Sequence, residues 1–248
     1  MNWYEEAFGS RYLEVYRHRD EQEAAQALEL IIKVAGSGES RGGKVLDLAC
    51  GQGRYSRLLA EKGYLVAALD LSLPLLERGQ VSSPTDYPSG GKVWFVRADM
   101  RQAPFRSSFD LAINMFTSFG YFEADRDNSE VLRQISSALV PGGHWVIDYL
   151  NRPQVIATLV AEDTAERAGL NITQRRRLED GDRRVVKDVL IQGPEGSQRW
   201  TERVRMYTRA EMESMLDQAG LTVERVYGDY GQGEYMESSP RLILSGCK

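Results

Sequence analysis

Asp47, Asp70, Asp99 and Asn114 each fall inside or at the end of an apolar run, and their spacing is the first chemical signal in the chain. If those runs are neighbouring parallel strands, their carboxyl ends share one edge, which is where open α/β sheets bind ligands. Asp47 lies within Val45-Leu46-Asp47-Leu48-Ala49, where a charge is costly unless partners meet it. Cys50-Gly51-Gln52-Gly53 follows, and then an amphipathic stretch, Arg57-Leu58-Leu59-Ala60-Glu61-Lys62. Gly51 and Gly53 let the chain turn sharply and let a ligand approach the backbone. The helix after them aims free N–H groups at the same place. Asp70 closes the next apolar run, where a carboxylate can accept both hydroxyls of a ribose. A dinucleotide fits less well, because Ser56 stands where Gly-x-Gly-x-x-Gly needs its third glycine, and Asp47 would face a diphosphate. An acid-lined crevice suits a cationic ligand.

The elements that must position these groups follow from periodicity. Strands are expected at 44–50, 64–70, 92–98, 109–115 and 144–150, the last after the turn Pro141-Gly142-Gly143. Helices are expected between them at 53–62, 72–80 and about 126–140. That alternation predicts a parallel sheet covered on both faces. Arg11 to Lys33 reads as a helix, with an aromatic lead-in that suits a flap over the crevice. After Asn151 the composition changes: a short helix over 153–161, then strands at 167–178, 183–193 and 198–207 form an antiparallel insertion. The insertion carries Arg175, Arg176, Arg177, Arg183, Arg184, Arg199, Arg203 and Arg205, which read as a wet sheet face or as a lid over an anionic substrate, with Arg184 the candidate contact. Thr208 and Glu211 spell a capping box for a helix at 209–219, and strands at 221–227 and 240–246 end the chain. The units are therefore a flap (1–43), a crevice-bearing core (44–150), the insertion (151–207) and the end of the core (208–248).

Composition narrows the partners. A net charge of -5 argues against nucleic acid. Two cysteines, Cys50 and Cys247, give neither a disulfide framework nor a metal cluster, and point to a reducing cytoplasm. No apolar run is long enough to span a membrane, and the acidic, aromatic start does not read as a leader.

"VLDLACGQG" (Val45 to Gly53), followed by Asp70, "RADM" (97–100), "FDLAINMFTSFGYF" (109–122) and "LVPGGHWVID" (139–148), resembles the class I S-adenosylmethionine-dependent methyltransferases. S-adenosylmethionine carries a sulfonium and an α-ammonium, which suits the acids. Within that superfamily the chain looks like small-molecule N-methyltransferases of the amino-sugar type, whose N-terminal Tyr-x-x-x-Tyr resembles Tyr12 to Tyr16 and whose β insertion resembles 151–207. The resemblance implies a Rossmann-like, doubly wound, mostly parallel seven-stranded sheet with the last strand antiparallel. It implies that Asp47, Ala49, Gly51 and Gly53 form the turn around the methionine part and that Asp70 takes the ribose, with Leu71 beside the adenine. Asp99 and Met100 would meet the adenine edge, Asn114 the α-ammonium, and Tyr12 or Arg17 the carboxylate. Methyl transfer is an in-line displacement on an activated leaving group, so a base is needed only for a protonated acceptor. The candidate bases are Tyr121, which stands where some relatives have histidine, and His18; Asp148, Tyr149 and Arg184 are candidates for holding the acceptor. No metal is expected. The reading is methyl transfer to N or O of a small metabolite by a monomer or homodimer; a silent cofactor-binding regulator, an RNA methyltransferase and an NAD-dependent oxidoreductase are the alternatives.

Overall fold

Five apolar runs become strands β1 (Lys44–Leu48), β2 (Leu65–Asp70), β3 (Lys92–Arg97), β4 (Phe109–Asn114) and β5 (Leu139–Leu150) in the computed structural model. It describes residues 3–8, 21–36, 42–167, 169–194 and 196–248. Four more strands follow: β6 (Glu162–Arg167), β7 (Leu170–Glu179), β8 (Arg184–Gly193) and β9 (Gly196–Arg205). The last two are β10 (Thr222–Tyr227) and β11 (Arg241–Cys247). The main sheet has seven strands in the order β10-β11-β5-β4-β1-β2-β3. β1 lies inside the sheet, parallel to both β2 and β4, so Asp47 lies beside Ala68 and Ile113. β11 runs antiparallel to both β5 and β10. The expected sheet, mostly parallel with its last strand reversed, is the one found.

Seven helices cover the strands: α1 (Trp3–Ala7), α2 (Glu21–Val34), α3 (Arg54–Glu61), α4 (Leu73–Ser82), α5 (Asp125–Ala138), α6 (Arg152–Thr158) and α7 (Arg209–Gln218), counted among the described residues. Successive strand residues point to opposite faces, so β1 feeds two cores. Val45 packs with Ala24, Ala27, Leu28 and Ile31 of α2 and with Leu59 of α3. Leu46 and Leu48 pack with Val131, Leu132 and Ile135 of α5 and with Met212 and Leu216 of α7. Each such Val, Leu, Ile or Met side chain, fully buried, contributes about 1.5–3 kcal/mol. α7 starts where its capping box predicts: the Glu211 N–H donates to Thr208 Oγ1 at 3.2 Å and the Thr208 N–H donates to Glu211 Oε2 at 2.7 Å.

Two expectations change. β5 begins at Leu139, because Pro141-Gly142-Gly143 continues the extended chain through an irregular register against β4 instead of turning. The insertion has four strands, ordered β6-β7-β8-β9, not three. Its inner face buries Ile172, Val189, Ile191 and Trp200 against Trp3 and Ala7 of α1. A polar joint fixes it to the core. Tyr149 donates its hydroxyl proton to the Arg205 carbonyl and accepts from the Tyr207 N–H, and the Arg205 N–H donates to the Gly120 carbonyl at 2.8 Å.

Candidate active site

The turn after β1 is built from three left-handed residues, Ala49 (φ 59), Gly51 (φ 58) and Gly53 (φ 71). Gly53 precedes α3, and a Cβ there would meet Phe95 Cε1 at 2.7 Å. At Gly51 a Cβ would meet only Leu75 Cδ1, at 3.9 Å, so this part of the turn is open. Asp70 at the end of β2 fastens it: Asp70 Oδ2 accepts from the Gly51 N–H and Oδ1 from the Ser72 N–H, each at 2.8 Å. Burial pushes the Asp70 carboxyl up, and the Ser72 and Gly51 amides only partly counter it.

Asp47 finds its partner one turn into α3. Ser56 Oγ donates to Asp47 Oδ2 at 2.5 Å, and both residues are buried. Ser56, which breaks the dinucleotide pattern, is thus the group that accommodates the strand carboxylate. Burial pushes Asp47 up to about 7, against the Ser56 hydrogen bond, and the neighbouring Asp70 charge adds to the rise.

Asp99 caps the short 3₁₀ turn at Met100–Gln102 by accepting from the Arg101 N–H at 2.8 Å. It also receives the Arg101 guanidinium at 2.5 to 3.1 Å. Burial alone would raise its carboxyl; the Arg101 hydrogen bonds win and hold it below the ordinary range. Asn114 is fully buried, its amide donating to the Leu48 carbonyl at 2.9 Å, while its Oδ1 has no partner.

These strand ends open into one cavity of about 1520 Å³. Asp47, Ala49, Gly51, Asp70, Leu71, Asp99 and Met100 line one side, and the expected contacts Asn114 and Gly53 are not among the lining residues. Tyr121, Phe116, Thr117 and Arg241 line the next part, and Val185, Lys187, Glu202 and Val204 of the inserted sheet close the far side. Tyr4, Glu5 and Phe8 border it as well. Phe8 stacks on Tyr121 with ring centroids 5.6 Å apart, Trp3 meets Tyr121 edge-on at 5.0 Å, and the Trp3 indole donates to the Tyr121 carbonyl at 3.2 Å. Ser72 Oγ donates to the Phe8 carbonyl at 2.6 Å, which ties the amino-terminal segment to the start of α4. The candidates Tyr12, Arg17 and His18 lie outside the described residues.

Three expected acceptor contacts are placed elsewhere. Tyr149 is fully buried in the joint to the inserted sheet. Arg184 donates to Asp180 Oδ2 at 2.7 Å and to the Glu123 carbonyl at 2.5 Å, on the opposite face of β8 from the cavity residues Val185 and Lys187. Asp148 is buried beneath the cavity wall, against Arg241. The sequence reading missed Arg241 and the pair Lys187–Glu202. Those two lie opposite in register and bond at 2.6 Å. A charge midway along a strand of otherwise apolar inward residues was the available signal.

The fit to S-adenosylmethionine can be judged from the donor and acceptor set. A carboxylate offers about four acceptor sites. Asp70 spends two of them on backbone amides and lines the cavity, which leaves capacity for a ribose. Asp47 and Asp70 put two carboxyl groups on that side, and the open face at Gly51 admits close contact. The residues fit the group.

The comparisons agree. Residues 45–143 match the methyltransferase domain. The chain is 28% identical to the putative methyltransferase YqeM of Bacillus subtilis (strain 168), over 83% of this chain and 84% of that one. It is 26% identical to the dTDP-3-amino-3,6-dideoxy-alpha-D-glucopyranose N,N-dimethyltransferase of Streptomyces fradiae, over 74% of this chain and 72% of that one. Its fold matches that of SAM-bound CalS10, an amino pentose methyltransferase from Micromonospora echinaspora, with a TM-score of 0.69 at 19% identity, covering 95% of both chains. With a methyltransferase domain matched over residues 45–143, the sheet order in place and a carboxylate at the end of β2, the chain is similar to S-adenosylmethionine-dependent methyltransferases.

Proposed function

We propose that this protein moves a methyl group from S-adenosylmethionine to N or O of a small metabolite held between the strand ends and the inserted sheet. One observation carries the reading: a single cavity of about 1520 Å³ runs from Asp70 to Lys187. Pockets for one small ligand occupy about 300–1,000 Å³, so this one has room for a cofactor and an acceptor together. S-adenosylmethionine supplies, when bound, an electrophilic methyl on a sulfonium. Asp70 accepts the ribose hydroxyls, Leu71 and Met100 flank the adenine, and the Ala49–Gly53 turn holds the methionine part. Asp99, held by Arg101 and lining the cavity, would accept from the adenine amino group. Tyr121 belongs to the acceptor half, where the stacked Phe8 orients its ring.

The likeness to an amino-sugar N,N-dimethyltransferase favours nitrogen as the acceptor. A net charge of -5 favours a small molecule over RNA. The reading places the protein in the cytoplasm; among the described residues no helix is long and apolar enough to cross a membrane. The test is transfer of label from methyl-labelled cofactor to a panel of amines, phenols, alcohols and carboxylates. Label on an amine or hydroxyl compound is expected. Label on RNA alone, or tight cofactor binding with no transfer to any small molecule, would overturn the reading. Tyr121→Phe keeps the stack on Phe8. If the hydroxyl takes the acceptor proton, turnover should fall about 100-fold; unchanged turnover would remove Tyr121 as a base.

A further inference from the structure

Asp148 stands at the end of β5 with no exposed surface, yet what it holds lines the cavity. Its carboxylate accepts from Arg241 Nε at 2.8 Å, forms an ion pair with Arg241 Nη2 at 2.7 Å, and accepts from the Phe116 N–H at 2.8 Å and from the Tyr230 hydroxyl. Its carbonyl accepts from the Thr117 N–H at 2.9 Å. Arg241 closes the ring: Nη2 donates to Thr117 Oγ1 at 2.9 Å, and the guanidinium lies 5.6 Å from the centre of the Phe116 ring. Arg241, Phe116 and Thr117 are all cavity residues.

The held backbone is unusual. Phe116 and Thr117 are consecutive left-handed residues, with φ of 58 and 59. Neither is glycine, and threonine is β-branched, so the conformation is costly at both positions. Such residues persist where their surroundings over-determine them, and they cluster at functional sites. Here the Phe116 N–H is held by the Asp148 carboxylate, the Thr117 N–H by the Asp148 main-chain carbonyl and the threonine hydroxyl by Arg241.

We propose that Asp148 and Arg241 are a positioning pair that locks the left-handed Phe116–Thr117 turn into the cavity wall and so sets where the acceptor sits. The proposal rests on the methyl-transfer reading of the cavity. It gives Asp148 a part in turnover without contact to substrate.

The experiment uses the full chain with S-adenosylhomocysteine added, and follows amide hydrogen exchange at Phe116 and Thr117. It also follows cofactor affinity and, with the acceptor found in the panel, kcat and KM. Asp148→Asn keeps the main-chain carbonyl and an amide oxygen but loses the charge that holds Arg241, so the turn should open more often. Exchange at those two amides should rise by about tenfold or more and kcat fall by about tenfold, with β1 amides unchanged and cofactor Kd within about threefold. Asparagine tolerates the left-handed region better than threonine. Adding Thr117→Asn to Asp148→Asn should therefore recover most of the lost kcat and protection, which a plain loss of core stability would not allow. Should Asp148→Asn fail to fold, Arg241→Lys keeps an ion pair but loses the fork to Thr117, and should show a smaller change of the same kind. Unchanged exchange at Phe116 and Thr117 would overturn the proposal. So would a uniform rise across β4, β5 and β11 with no recovery by Thr117→Asn, which would mark a core ion pair only. If no acceptor is methylated by the wild type, the functional reading fails, while the exchange and recovery pattern still decides whether the pair holds the turn.

Discussion

Asp47→Asn should change how the stability of this protein depends on pH. Asp47 is 2% exposed, and Ser56 supplies its one side-chain hydrogen bond. Burial lifts its carboxyl from 3.8 to about 7 despite that bond. Between those values the folded chain holds a proton that the unfolded chain has released. The contribution of Asp47 is therefore most favourable below about pH 4, weakens as pH rises toward about 7, and levels off above it. A rise of about three pH units corresponds to about 4 kcal/mol, at about 1.4 kcal/mol per unit. Asparagine cannot ionise, and its amide oxygen can still accept from Ser56. Urea unfolding of both proteins from about pH 4 to about pH 8 compares Asp47 and the groups coupled to it, Asp70 first, against all other titrations, which are common to the two. The expected result is near equality at low pH and a variant more stable by up to about 4 kcal/mol at high pH. Parallel curves, or a wild type that gains on the variant as pH rises, would refute the account of Asp47. A cation in the cavity offsets the cost of its charge, so S-adenosylmethionine should stabilise the wild type more than Asp47→Asn.

Gly53→Ala places a Cβ on Phe95 at a left-handed residue and should cost about 1–3 kcal/mol, read as a lowered Tm, and weaken cofactor binding with it. A variant as stable as the wild type would contradict the built turn. Tyr149→Phe strips the partner from the Arg205 carbonyl and the Tyr207 N–H and should cost about 1–3 kcal/mol in denaturant unfolding. Acceptor KM should not change; a rise in KM with stability intact would return Tyr149 to the substrate.

Most of the main sheet was legible because β1 to β5 are nearly continuous apolar runs, separated by helices everywhere except between β3 and β4, where a short 3₁₀ turn stands. β6 was not, because Glu162-Asp163-Thr164-Ala165-Glu166-Arg167 carries almost no apolar side chain and gains its strand state from pairing with β7. Pro141-Gly142-Gly143 has turn chemistry, and its irregular pairing with β4 lets the strand run through it. On the cofactor side, Asp70, Asp99 and the glycine turn could be placed from strand ends alone. On the acceptor side, the face of a strand decides everything. Val185 and Val186 are both apolar, so the sequence of β8 does not reveal which parity looks inward, and a shift of one residue exchanges Arg184 for Val185. Asp148 and Arg241 lie 93 positions apart, and only the antiparallel return of β11 beside β5 brings them together.

Titrating S-adenosylmethionine and NAD separately into the wild type and Asp70→Ala by calorimetry tests the central claim most directly. The wild type should bind S-adenosylmethionine and not NAD. Asp70→Ala, which loses acceptors for a ribose worth about 1.5–3 kcal/mol each, should bind at least about tenfold more weakly. Binding of NAD in place of S-adenosylmethionine, or equal affinity of Asp70→Ala and wild type for S-adenosylmethionine, would contradict the assignment of this crevice.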